Sequence, residues 1–194
     1  NEARQFITYG FASLVINLLL IVMDSNDRYF IALSNSISDA GIYNQLYNLG
    51  QISIVAIVIV YQNAINPELV KQLEYNIKEY NLNARKYVLH YIILILPIAV
   101  LLALFSKEFA YILLGEKFRI GWDVLPWVFF AKFLSGLLLF SEVKYKFQNK
   151  MKFLIRIFIS VCFISIISNY LFIPSFGYRA AVYCNFVCYF LLAL

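Results

Sequence analysis

The chain has 194 residues, 62% of them hydrophobic and only 14% charged, with a mean hydropathy of +0.75. Average globular domains are roughly 45–50% apolar and about 25% charged, so this composition excludes an ordinary soluble domain and points to lipid as the solvent. The net charge of +5 does not signal nucleic acid, because Lys and Arg fall in short connectors between apolar blocks and no basic face alternates with aromatics.

A membrane-crossing helix needs about 20 apolar residues, since ~30 Å of hydrocarbon is crossed at ~1.5 Å per residue. Its backbone must also bond internally. Blocks at 6–34, 41–66, 87–105, 124–143, 151–172 and 177–194 meet this requirement. The expected fold is all-α, a polytopic bundle of six transmembrane helices. The chain opens on Asn1-Glu2-Ala3-Arg4 and stops within the apolar run Tyr189–Leu194, so it reads as a fragment of a longer protein.

In the first block, Asn17, Asp24, Arg28 and Asn35 fall within about 20° of one line around a helix turning ~100° per residue. Gly10 and Ser13 lie near the same line. One continuous helix would carry a polar stripe along a cavity, with Asp24 and Arg28 as a partly neutralising i,i+4 pair. Alternatively Asp24-Ser25-Asn26-Asp27-Arg28 is an exposed loop after a shorter span. The apolar run Tyr29–Leu33 that follows favours the stripe.

The connector 67–86 is polar, with Leu69, Leu73, Ile77 and Tyr80 at helical spacing and Glu74 four residues before Lys78. It is expected to form an amphipathic helix on the membrane surface, touching lipid. In the third block Pro97 removes a backbone donor in mid-helix and predicts a kink. His90, beside Tyr87 and Tyr91, has no second ligand at metal spacing and reads as an interfacial residue.

Lys132 stands near the middle of the fourth block among Phe129, Phe130 and Phe133, too deep for its stem to reach either interface. It is either a cavity cation or half of an ion pair with another helix. Ser135 and Glu142 lie on its side of the helix. Further on, Arg156 and Ser160 lie one turn apart, placed either to line the cytoplasmic mouth or to anchor the helix. Asn169 and Asn185 are expected to bridge the last two helices. Cys162, Cys184 and Cys188 lie in apolar blocks, and their odd count and spacing fit neither a disulfide framework nor a zinc site.

Ten basic residues, from Arg4 through the connector 67–86 to the stretch 144–156, fall on one side of this topology and five on the other. The positive-inside rule then puts residue 1, the connector 67–86 and the 144–152 loop in the cytoplasm. Residues 107–122 and the Pro174-Ser175-Phe176-Gly177 turn lie outside. No Ser/His/Asp arrangement, phosphate-binding P-loop or GxGxxG is present. The chain is therefore expected to be neither an enzyme nor an ATP-driven pump, and no cofactor is implied.

The runs Asp27-Arg28-Tyr29-Phe30-Ile31, Ala40-Gly41-Ile42-Tyr43 and Tyr47-Asn48-Leu49-Gly50 resemble the seventh and eighth helices of polysaccharide-biosynthesis flippases. These belong to the multidrug/oligosaccharidyl-lipid/polysaccharide exporter superfamily. Asn66-Pro67-Glu68-Leu69 resembles the family's helix end, and Leu113-Leu114-Gly115-Glu116-Lys117-Phe118 with Trp122 resembles its external loop. The resemblance spans the whole chain as the carboxy-terminal half of a two-bundle exporter.

It implies translocation of an undecaprenyl-diphosphate-linked oligosaccharide across the bacterial inner membrane, without covalent chemistry, for O-antigen or capsule. It also implies that a separate amino-terminal bundle completes the cavity. Arg28, Lys132 and Arg156 become cationic contacts for the anionic head group. Asp24, Asp27, Asn17, Asn35 and Glu142 become a polar lining or an ion-coupling set. A lipid II flippase or a multidrug exporter of the same superfamily is the alternative. A membrane polymerase or glycosyltransferase fits less well, because its catalytic loops are larger than the connectors here.

Overall fold

Long apolar stretches with few charges must satisfy their backbones internally, and helix is the form they take in the computed structural model. It describes residues 2–75, 77–147 and 150–193, and the described residues contain no strand. The elements are α1 (Glu2–Ser34), α2 (Ile37–Gly50), a π-helical segment (Gln51–Val55), α3 (Ala56–Tyr75), α4 (Ile77–Leu104), α5 (Ser106–Leu113), a 3₁₀ segment (Glu116–Val124), α6 (Leu125–Phe147), α7 (Met151–Phe176) and α8 (Tyr178–Ala193). Among the described residues, four helices are long and apolar enough to cross a membrane: Ile37–Gln72, Asn83–Leu104, Glu116–Leu138 and Met151–Phe176. Tyr178–Ala193 is apolar but shorter.

The favoured reading of residues 24–28 holds, because α1 continues unbroken to Ser34. One expectation is corrected. The connector 67–86 is not a separate surface helix: its first part prolongs α3 to Tyr75, and its second part opens α4 at Ile77. The physical reason is length. At ~1.5 Å per residue the 28 residues of α4 span about 42 Å, well beyond the ~30 Å hydrocarbon layer. The surplus turns at its start carry the exposed Arg85 and Lys86. The apolar repeat serves the bundle instead: Leu69 and Tyr80 are fully buried, and Tyr80 donates to the Phe140 carbonyl at 3.4 Å. Leu73, Glu74, Ile77 and Lys78 lie outside the described side chains.

The α-helix also runs through Pro97 to Leu104. Gly177 ends α7 at φ +64°, in the left-handed region that favours glycine, with its N–H on the Ile173 carbonyl at 2.8 Å. A Cβ on Gly177 would stand 3.6 Å from Asn35, and Arg179 pairs with Asp123 at 2.9 Å. The α1–α2 turn, the α4–α6 connector and the α7–α8 turn therefore lie together at one end of the bundle.

The central helix is α6, which packs on α4, α8, α3 and α2. Its Leu125, Val128, Phe129 and Phe133 are buried with Leu46 of α2, Tyr91 and Ile95 of α4 and Val182 of α8. In lipid such packing depends on close approach rather than on expulsion of water. A Cβ on Gly50 would come within 2.6 Å of Val128 and 3.3 Å of Lys132, so glycine sets the distance between α2 and α6. Gly50→Ala is expected to lower stability by about 1–3 kcal/mol through overpacking. Gly41→Ala, whose Cβ meets only Phe118 at 4.0 Å, should leave it unchanged. Thermal unfolding of the purified full-length protein in detergent checks the pair, and equal melting temperatures would refute the close-approach role of Gly50.

Candidate functional site

A cluster of charged and phenolic side chains lies where α1, α2, α6 and α8 meet. Asp27 and Lys132 are only 1% and 2% exposed. Each is seven residues from its helix end at Ser34 or Leu125, about 10 Å from that end of the bundle. Asp27 accepts hydrogen bonds from the Tyr43 hydroxyl, from Asn185 Nδ2 at 3.3 Å and from the Arg28 backbone N–H at 2.9 Å. Asp24, half-buried one turn earlier, accepts from the Tyr189 hydroxyl at 2.5 Å.

The two cations meet on an aromatic ring. Lys132 Nζ lies 3.4 Å from the Tyr47 ring centroid, and the Arg28 guanidinium carbon lies 5.2 Å from the same centroid. Lys132 Nζ is also 5.6 Å from the Tyr189 ring. Among the described residues Arg179–Asp123 is the only ion pair closer than 4 Å. Thus the expected contact between Asp24 and Arg28 does not close, and neither does an ion pair for Lys132. Tyrosines stand between the opposite charges: hydroxyls meet the carboxylates and a ring face meets the cations.

Local sequence explains the convergence. Tyr43 and Tyr47 are four residues apart and face the same way from α2, as do Asn185 and Tyr189 from α8. The π segment follows at once, with the Ala56 N–H on the Gln51 carbonyl. A π segment inserted in an α-helix is frequent at functional sites. Beside Lys132 a cavity of about 10 Å³ is lined by Tyr43, Tyr47, Val128, Ala131, Val182 and Asn185. That is about the room one water needs.

The remaining sequence-selected residues are dispersed. Asn17 is exposed on α1, and Asn35 is exposed in the turn beyond it, so only the middle of the expected stripe faces the cluster. Arg156 is exposed on α7, where its carbonyl accepts from Ser160 at 2.9 Å. Glu142 lies outside the described side chains.

Asn169 and Asn185 do not bridge α7 to α8; each reaches back to α1. Asn185 bonds Asp27, and Asn169 Nδ2 donates to Asn26 Oδ1 at 2.5 Å. Asn26 in turn donates to Ser165 at 3.2 Å. Both asparagines point to α1 because it carries the polar atoms at their depth. Sequence reading missed Asn26, Tyr43, Tyr47 and Tyr189. Their i,i+4 spacing was the available signal for the tyrosines, but tyrosine in a membrane helix reads first as an interface anchor.

The fold and this cluster define a polytopic membrane protein with charge held inside its helix bundle. Residues 1–120 match the polysaccharide biosynthesis protein family, and the chain belongs to that family. The match agrees with the resemblance read from the runs Asp27–Ile31, Ala40–Tyr43, Tyr47–Gly50 and Leu113–Phe118. No curated protein and no solved structure matches the chain. The matched stretch contains Asp24, Asp27, Arg28, Tyr43 and Tyr47, while Lys132, Asn185 and Tyr189 lie beyond it.

The Asn26–Asn169 bond is expected to contribute a coupling of about 0.6 kcal/mol and at most about 1.7 kcal/mol, the span found for interhelical bonds within membranes. A double-mutant cycle of Asn26→Ala and Asn169→Ala, read by unfolding in mixed micelles, measures it. Strict additivity would show that the two side chains do not interact.

Proposed function

We propose that this chain forms the carboxy-terminal six-helix half of a flippase that moves an undecaprenyl-diphosphate-linked oligosaccharide across the bacterial inner membrane. In this reading α1, the continuous α2–α3 helix, α4, α6, α7 and α8 each cross the bilayer. The end carrying Asn35, Asp123 and Gly177 faces outward, as the distribution of basic residues requires. An amino-terminal bundle of the same protein supplies the opposite wall, and the exposed Asn17 and half-buried Asp24 and Arg28 lie on the face turned toward it. The chain is a transporter without a catalytic residue or cofactor, and its partners are the lipid-linked substrate and the surrounding membrane lipid.

The observation that carries this reading is the pair of cations on Tyr47. Arg28 and Lys132 share one ring and neither closes an ion pair among the described residues. Their attraction for an anion is thus not exhausted within the protein. A diphosphate is an anion with several acceptor oxygens, and charge-assisted bonds to it strengthen where water is scarce. Asp24 and Asp27, held by tyrosine hydroxyls, supply the opposing charge that releases the anion or couples an ion to the cycle. The small void beside Lys132 does not admit a head group, so entry requires α2 with Tyr43 and Tyr47 to part from α6 and α8. The π segment behind α2 is where that motion is absorbed.

The full-length gene is placed in a strain lacking its own oligosaccharide flippase, and surface polysaccharide is scored at matched membrane abundance. Wild type restores the polysaccharide. Arg28→Ala and Lys132→Ala each lower the amount about tenfold or more, the loss expected when a charge-assisted contact worth ~1.5–3 kcal/mol disappears. Arg156→Ala, outside the cluster, remains near wild type. Full restoration by both cluster variants would remove the cations from the transport path, and no restoration by wild type in its own host background would remove the flippase reading itself.

A further inference from the structure

Between α4 and α6 the chain folds as α5 and the 3₁₀ segment, and a surface concavity of about 480 Å³ opens there. It is lined by Tyr111, Glu116, Arg119, Ile120 and Trp122. It lies at the bundle end that holds Asn35 and Gly177, far from the apolar middle of the helices. Its size falls within the ~300–1,000 Å³ range of small-molecule sites.

The chemistry of the lining is specific. Arg119 is pinned: its Nε donates to the Leu114 carbonyl at 3.0 Å, and its guanidinium carbon lies 5.2 Å from the Tyr111 ring centroid. Lys107 Nζ lies 5.7 Å from the Trp122 centroid. A cation thus steadies each ring, yet Tyr111 remains 50% and Trp122 39% exposed. Glu116 is exposed beside them. Two fixed aromatic rings, a carboxylate acceptor and a guanidinium donor therefore surround one hollow.

A sugar ring fits that set. Its C–H face is apolar and carries slight positive charge, which suits the negative face of an aromatic ring. Its rim of hydroxyls both donates, to Glu116, and accepts, from Arg119. A purely interfacial aromatic belt needs the rings but neither the hollow nor a pinned guanidinium with a carboxylate in the same lining. We propose that this concavity is a saccharide-binding subsite at the outer end of the bundle, which holds the oligosaccharide head group as it leaves the transport path. The inference rests on the flipping reading for its biological ligand and on the Trp122–Arg119–Glu116 geometry for its chemistry.

The test is calorimetric titration of the full-length protein in lipid nanodiscs. The probe is the oligosaccharide repeat released by mild acid from the host strain's own lipid-linked precursor, with inorganic diphosphate in a parallel arm. Wild type binds the saccharide. Trp122→Ala and Arg119→Ala each weaken binding about tenfold, the effect of losing one stacking or charge-assisted contact of ~1.4 kcal/mol. Trp122→Tyr, which keeps a ring, retains most of the affinity, and Trp127→Ala on α6 leaves it unchanged. Diphosphate does not compete.

Absence of saccharide binding by wild type, wild-type affinity in both alanine variants, or displacement by diphosphate would each overturn the subsite. Surface polysaccharide scored on the same proteins separates the two readings. Restoration without saccharide binding overturns the subsite and leaves transport intact. Binding without restoration supports the subsite and counts against transport.

Discussion

A charged side chain at the centre of a membrane helix costs about 3 kcal/mol even on the lenient scale set by helix insertion, and Lys132 sits in α6 with only 2% of its surface exposed. The arrangement of the surrounding helices answers that cost. Tyr47 of α2 places its ring 3.4 Å from the ammonium, a contact worth about 2 kcal/mol or more once water is removed. The ring reaches it because Gly50, one turn further along, lets the α2 backbone lie against Val128 and Lys132. A larger residue at position 50 would separate α2 from α6, and the ammonium would lose its cover.

The same economy of contacts governs the acids. Asp27 is buried against α1's neighbours and is met by a phenol, an amide and a backbone N–H. Asp24 is met by the Tyr189 phenol. Carboxylates bonded by hydroxyls and cations resting on rings keep opposite charges near one another without contact. A direct salt bridge would be stronger as a pair and inert toward a third partner. Tyrosine spacing costs some of that strength and leaves the cations resting on ring faces rather than closed into ion pairs among the described residues. The second polar set, Asn26 with Ser165 and Asn169, lies nearby on the α7 side of α1. It ties α1 to α7, while Asn185 ties α1 to α8, so α1 is the helix on which the polar interior converges.

Membrane character and all-helical form were legible because lipid leaves the backbone one economical choice. Lys132 was legible for the same reason, as a charge in an apolar run has few harmless explanations. The connector 67–86 was misread because an apolar repeat at helical spacing fits a membrane surface and a helix–helix contact equally well; the burial of Leu69 and Tyr80 decides for the contact. The polar stripe on α1 was legible as an angular pattern, but angle alone does not say where along the helix neighbours approach. Asn17 and Asn35 share the line of Asp24 and Arg28 and remain exposed, although Ile16 beside Asn17 is buried against α7.

By itself, then, the sequence determined the solvent, the all-helical form and the family that matches over residues 1–120. These are properties of local composition and one-dimensional spacing, and no knowledge of neighbours is needed to read them. Only the tertiary structure decided which charges meet and through what. Asp27 to Tyr43, Asp24 to Tyr189, Lys132 and Arg28 to Tyr47, and Asn169 to Asn26 are contacts between helices 16 to 165 residues apart or brought together by a ring face. Their partners are fixed by helix depth, rotation and the close approach that Gly50 permits, none of which a period along a single helix contains.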